Sequence, residues 1–257
     1  MRKRIDRFTR RLSGQELVLG CVILLPLFFY CNSYIGTAIV KWIILTFNLS
    51  VATNTATIWL NFAVDLITAL VAVIILRKFI KRQWKDFMNN KLSIIVAGCF
   101  LGFFLNICAN AIGSSIVKLF VDQSSSVNQQ QVESLTKSIP AIMFFVTGFL
   151  APIGEELIFR GVIFTGLRKY NRFLAYVVSA FLFGFIHVMN SVFAGNIFEM
   201  VQMIPYACSG LVFAYIYEST DNIWASILTH MTNNIFALLV ILFEIKMPDI
   251  VWHLKCI

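Results

Sequence analysis

Residues 151–160 read Ala-Pro-Ile-Gly-Glu-Glu-Leu-Ile-Phe-Arg (APIGEELIFR), two adjacent glutamates and an arginine inside an apolar run. On a helix bathed in water such charges would be ordinary. Their surroundings make them otherwise. Of the 257 residues, 59% are hydrophobic and 13% charged, whereas soluble domains average roughly 45–50% apolar and about 25% charged residues. The apolar excess gathers in runs such as AVDLITALVAVIIL at 63–76, longer than a soluble core requires. The chain therefore reads as an all-α, polytopic transmembrane bundle in a cell membrane.

A net charge of +8 would suggest nucleic acid as a partner for a soluble protein. In a membrane protein the placement of the charge carries more information than its sum, and no nucleic-acid role is expected. Lys and Arg cluster in MRKRIDRFTRRL (1–12), RKFIKRQWK (77–85) and RKYNR (168–172), which are expected on the cytoplasmic side. The polar stretch VDQSSSVNQQQVESLTKS (121–138) holds a single lysine and is expected outside.

A spanning helix needs about 20 apolar residues. Spans are expected near 17–39, 56–76, 93–119, 139–167, 173–189, 199–217 and 222–245. Basic segments before the first span and after the second require an even number of crossings between them, so residues 40–55 become an outer connection or a tilted extension. Seven spans result, with the N-terminus inside and the C-terminus outside. The divisions are a basic N-terminus (1–16), N-terminal spanning helices (17–120), an outer loop (121–138), a core of helices (139–245) and a tail (246–257). Six scattered cysteines, most within apolar runs and none in a C-x-x-C pair, read as buried thiols rather than a disulfide framework.

An ionisable side chain at the centre of a spanning helix costs at least about 2.5–3.5 kcal/mol. The candidates are Asp65, Glu155, Glu156, Arg160, His187 and His230, with Asn234 close by; His253 falls in the tail. Counted from the cytoplasmic charges at about 1.5 Å per residue, Glu155 and Asn234 lie roughly 20 Å up, His187 roughly 22 Å and His230 roughly 14 Å. Residues from three helices thus arrive at similar heights. Glu156 and Arg160 are spaced i, i+4 with the acid first, the favourable order for an ion pair. Consecutive residues point about 100° apart on a helix of 3.6 residues per turn, so Glu155 is left to face a cavity. His230 and Asn234 share a face by the same i, i+4 spacing, and Asn233 falls off it. Gly184, between Phe183 and His187, allows a close helix approach. A purely structural polar network of these groups is the competing reading.

Glu155-Glu156-x-x-x-Arg160, Phe183-x-x-x-His187 and His230-x-x-x-Asn234 occur in that order on separate apolar segments. Together they resemble the CAAX protease and bacteriocin-processing family of intramembrane proteases, also called the Abi family. The resemblance covers about 140–245, and residues 1–120 share only the spanning character. It implies hydrolysis of a membrane-embedded peptide or protein by an activated water: Glu155 as general base, His187 orienting the water, His230 and Asn234 donating to the oxyanion, and Glu156 with Arg160 holding the helix. The family is often labelled a metalloprotease group, and a zinc ion would take Glu155, His187 and His230 as ligands. H-E-x-x-H is absent, and the resemblance to archaeal members favours a metal-free glutamate mechanism. Bacterial members are linked to bacteriocin immunity, peptide pheromone maturation and surface-protein processing. Two other classes stay open: a proton-coupled transporter using the same groups as a relay, for which inverted repeats are not visible, and a non-catalytic immunity or scaffold protein.

Overall fold

A computed structural model describes residues 12–122 and 125–246. The basic residues up to 11, His253 and Cys256 lie outside the described residues. Among the described residues there is no strand. The chain runs through α1 (Gly14–Thr46), α2 (Thr53–Ile75), α3 (Arg77–Asn89), α4 (Lys91–Val117), α5 (Val127–Ser138), α6 (Pro140–Arg168), α7 (Arg172–Ile186), α8 (Met189–Phe193), α9 (Ile197–Thr220) and α10 (Ile223–Lys246). Six of these, α1, α2, α4, α6, α9 and α10, are long and apolar enough to cross a membrane, and α7 is a shorter apolar helix. These seven sit where the apolar runs predict spans. Residues 40–46 continue α1 as an extension, and the connection to α2 is confined to 47–52.

The distribution of polarity is that of a protein whose solvent is lipid. Leu92, Phe100 and Val22 point outward, more than two thirds exposed, while Asn32, Asn106, Glu156, Arg160, Ser226 and Thr229 are almost wholly enclosed. Polar groups in hydrocarbon must find partners inside the bundle, and each of these six makes at least one hydrogen bond. Thr229 Oγ1 donates to the Gly98 and Ala225 carbonyls, and the Asn32 amide donates to Thr68 Oγ1 across α1 and α2. The multi-pass helical membrane protein expected from composition is the one observed. The cysteines differ from expectation. Cys21, Cys31 and Cys108 are exposed on the bundle and free, because an outward apolar face in a bilayer is bathed by lipid and gives no reason for a thiol to turn inward.

The two ends of the bundle are chemically distinct. At one end Arg82 pairs with Glu16 at 2.9 Å, the Lys169 ammonium reaches the Leu12 carbonyl at 3.4 Å, and Arg168 and Arg172 both pair with Glu218. Basic residues of the second and third clusters therefore share this end, where Leu12, the last residue of the first cluster, also lies. At the other end Asn54 donates to Ser138 at 3.0 Å, Ser126 bonds the Tyr206 hydroxyl at 2.7 Å, and the Val127 amide donates to Glu199 at 2.7 Å. Helix α5, capped by Ser126, is held over this polar end.

Helices α7 and α9 approach closely at Gly184, where a Cβ would stand 2.9 Å from the Met203 carbonyl oxygen. The small residue predicted to permit helix contact does so, and it brings the end of α7 against the start of α9.

Candidate active site

Helix α6 carries the two glutamates, and its backbone widens to π-helical turns over Leu157–Phe164, a feature frequent at functional sites. Glu156 is fully enclosed. Its Oε1 accepts from Arg160 Nη1 at 2.9 Å and from His230 Nδ1 at 3.1 Å, and its Oε2 accepts from the Ser226 hydroxyl. Arg160 in turn donates from Nη2 to the Gly210 carbonyl at 2.8 Å. Its guanidinium lies 4.6 Å from the Phe183 ring centroid and 5.1 Å from that of Phe213, stabilised by the faces of both rings. The ion pair expected from the i, i+4 spacing is present, and it ties α6 to α9 and α10.

Glu155 points elsewhere. Its Oε2 is buried without a hydrogen-bond partner, and His230 Nε2 stands 3.9 Å away, beyond hydrogen-bond reach. It lines a cavity of about 520 Å³ together with His187, His230 and Asn234. The shared height and shared face inferred for these residues correspond to one cavity.

The histidines are oriented from behind. His187 is the first residue past the end of α7, and its Nδ1 lies 2.8 Å from the Phe183 carbonyl oxygen one turn earlier. A carbonyl only accepts, so Nδ1 donates, and the Nε2 of a neutral ring keeps its lone pair. The ring stacks on Tyr206 at 4.3 Å between centroids. His230 is held likewise: Nδ1 donates to Glu156, and the ring stacks on Phe213 at 4.7 Å. Its Nε2 then faces Glu155 as a lone pair when the ring is neutral and as a donor when it is protonated.

Asn234 donates from Nδ2 to the Thr147 carbonyl at 2.8 Å, which leaves its second amide hydrogen for another acceptor. Asn233 corrects the expectation. It also lines the cavity, and its Oδ1 accepts from Asn106 at 2.7 Å. The space is broad enough to be bordered by two consecutive positions of α10.

Sequence reasoning counted Asp65 among intramembrane ionisable residues but gave it no place; it lines the same cavity. Asn61, Asn110, Tyr206 and Ser209 also border it and were not singled out. A signal existed for two helices, since Asn61 with Asp65 and Asn106 with Asn110 are polar i, i+4 pairs in apolar runs.

A zinc ion would take Glu155, His187 and His230 as its ligands. The donor chemistry suits zinc, and each imidazole is braced by an acceptor as metal ligands commonly are. The spacing does not suit it: among the described residues no three His, Cys, Asp or Glu side chains stand close enough to hold one ion.

Residues 137–236 match the family model of type II CAAX prenyl endopeptidase Rce1-like proteins. The chain is 28% identical over 172 residues to the candidate membrane peptidase YdiL of Bacillus subtilis, covering 66% of each chain. It is 28% identical over 200 residues to the membrane-embedded CAAX protease MroQ of Staphylococcus aureus, covering 76% of each. An uncharacterised protein of Mycoplasma capricolum is 26% identical over 176 residues, 65% of this chain and 49% of that one. The chain thus spans about half to two thirds of the length of two of these relatives, YdiL and the Mycoplasma protein. No solved structure matches the chain significantly. The matched segment contains Glu155, Glu156, Arg160, Phe183, His187, His230 and Asn234, and through it the chain is similar to CAAX proteases of the membrane.

Proposed function

We propose that the chain is an intramembrane endopeptidase that hydrolyses a peptide bond of a membrane-associated peptide or protein. The observation that carries this reading is the convergence of Glu155, His187, His230 and Asn234 on one cavity, with a Glu155 oxygen left without a partner. Glu156, by contrast, has its oxygens committed to Arg160, His230 and Ser226.

In this mechanism a water lies between Glu155 and the lone pair of His187 Nε2. Glu155 takes one of its protons as the water oxygen bonds to the scissile carbonyl carbon. The negative charge that develops on the carbonyl oxygen is stabilised by the free Asn234 hydrogen and by His230 Nε2–H. With Nδ1 already donating to Glu156, His230 fills that role as imidazolium, its charge balanced by the two flanking glutamates. Donors fixed in a water-poor cavity stabilise such charge far better than donors in water. The carbon–nitrogen bond then breaks, and Glu155 returns its proton to the leaving amine, giving a carboxylic acid and an amine, with Glu155 again a carboxylate.

The basic end of the bundle is placed on the cytoplasmic side, with α5 and the polar end outside. The likeness to a protein named as a membrane-embedded CAAX protease supports the peptidase reading, and the motif resemblance points to bacteriocin immunity, peptide pheromone maturation or surface-protein processing as its setting. The test is cleavage of a membrane peptide by the purified protein, compared with Glu155→Ala. Cleavage by the wild type alone supports the reading. Equal cleavage by the variant rejects it.

A further inference from the structure

Helix α2 lies outside the segment matched by the family model, yet it forms a wall of the cavity. Its approach to α6 is close: a Cβ on Gly154 would stand 3.0 Å from Thr68 Cγ2 and 3.6 Å from the Ala69 nitrogen. Glu155 is the next residue along α6, and Asp65 lies one turn before Thr68 on α2, a spacing that shares a helix face. Asn61, one turn earlier still, also lines the cavity. That direction along α2 leads to the polar end, where Asn54 bonds Ser138 of α5 and where Asn128 and Gln129 border the same space. Asp65 therefore stands on the side of Glu155 that leads to the polar end.

The charge balance of this space is one-sided. Asp65 and Glu155 line it, and no Lys or Arg is among its lining residues. Arg160 is committed to Glu156 and the Gly210 carbonyl. Among the described residues Asp65 has no hydrogen-bond or ion-pair partner. A carboxylate withdrawn from water is costly until a cation accompanies it; no lysine or arginine of the cavity wall supplies one, and His230, the imidazolium of the proposed mechanism, stands beside Glu155.

We propose that Asp65 makes the cavity selective for peptides that carry a positively charged group beside the scissile bond. This rests on the protease reading for its catalytic consequence but not for its binding consequence. The group is an ammonium or guanidinium, borne by a lysine or arginine side chain or by a free peptide N-terminus. It enters past α5 and pairs with Asp65, which holds the adjoining peptide bond over Glu155. The amides of Asn61, Asn110 and Asn233 offer hydrogen bonds to the peptide backbone.

The experiment uses the full chain in lipid nanodiscs and one membrane-inserting peptide in matched forms. The forms carry lysine, norleucine or glutamate next to the cleaved bond with an acetylated N-terminus, or norleucine with a free N-terminus near the bond. Wild type should favour the lysine form over norleucine by about ten-fold in kcat/KM, the order expected when a weakly solvated charge pair is gained. Asp65→Asn, which keeps the shape, should bring that ratio close to one, and Asp65→Lys should shift preference to the glutamate form. Preference for the free N-terminus in place of lysine would assign the cation to the peptide terminus. A wild type without charge preference, or an unchanged preference in Asp65→Asn, overturns the proposal. Binding of the fluorescent lysine and norleucine peptides to Glu155→Gln protein, with and without Asp65→Asn, gives the same comparison without turnover. Charge-selective binding with no cleavage by any wild-type preparation would sink the protease reading and leave this one standing.

Discussion

Replacing Glu156 by Gln removes one charge and leaves the shape of the side chain nearly unchanged. The consequence is worked from its surroundings. Both Glu156 and Arg160 are 0% exposed, and among the described residues the guanidinium has no other carboxylate in contact. Breaking a buried pair by removing one partner costs about 3–5 kcal/mol, because the remaining charge stays enclosed without compensation. The new amide also presents an N–H2 group where Ser226 or His230 now donates, so one of those donors loses its acceptor. Against a total stability of about 5–15 kcal/mol this is a large fraction. At roughly 2–4 °C per kcal/mol for a chain of this size, the midpoint of thermal unfolding should fall by roughly 6–20 °C. Purified Glu156→Gln in detergent, followed by thermal unfolding and by abundance in the membrane, measures this. The double variant Glu156→Gln/Arg160→Met should recover part of the loss, since it removes the stranded cation. An unfolding midpoint equal to that of wild type, together with normal abundance, would refute the account of Glu156 as the anchor of the bundle.

Asn234→Ala should lower kcat by about 10²–10³ with little change in KM, the effect of losing one oxyanion donor; a rise in KM at unchanged kcat would assign Asn234 to substrate binding instead. His230→Ala should leave residual activity that added zinc does not alter, and metal analysis of the wild type should show no stoichiometric zinc; zinc that is present and lost in the variant would replace the metal-free mechanism with a metal-dependent one. Single cysteines introduced at 125–136, on a background lacking the native cysteines, should react with an impermeant reagent outside intact cells, whereas those at 78–90 and 168–172 should not; the reverse pattern would invert the proposed orientation.

Much of the architecture is legible because lipid imposes a simple rule on composition: apolar runs of sufficient length become helices. The Glu156–Arg160 pair is legible because i, i+4 contact lies within one helix. What the sequence conceals depends on how helices rotate and pack against one another. Asp65 stands out as a charge in an apolar run, but only the seating of Thr68 against Gly154 brings it beside Glu155. Asn233 was set aside by helical angle alone, and the breadth of the cavity readmits it. The early end of α7 is concealed for a related reason. No Gly or Pro follows Ile186, and the helix stops where the His187 side chain turns back to the Phe183 carbonyl. Tyr206 and Ser209 carry no motif spacing, and their place at the site follows from the packing of α9 on α7 and α4.

The central claim is that Glu155 activates the water while Glu156 holds the scaffold. Its most direct test is single-turnover cleavage of a membrane peptide by purified wild type, Glu155→Gln and Glu156→Gln, each checked for folding by thermal unfolding. The account predicts that Glu155→Gln keeps the wild-type unfolding midpoint and loses cleavage, while Glu156→Gln loses stability along with activity. A stable Glu156→Gln without activity, beside a Glu155→Gln that cleaves at near the wild-type rate, would contradict it.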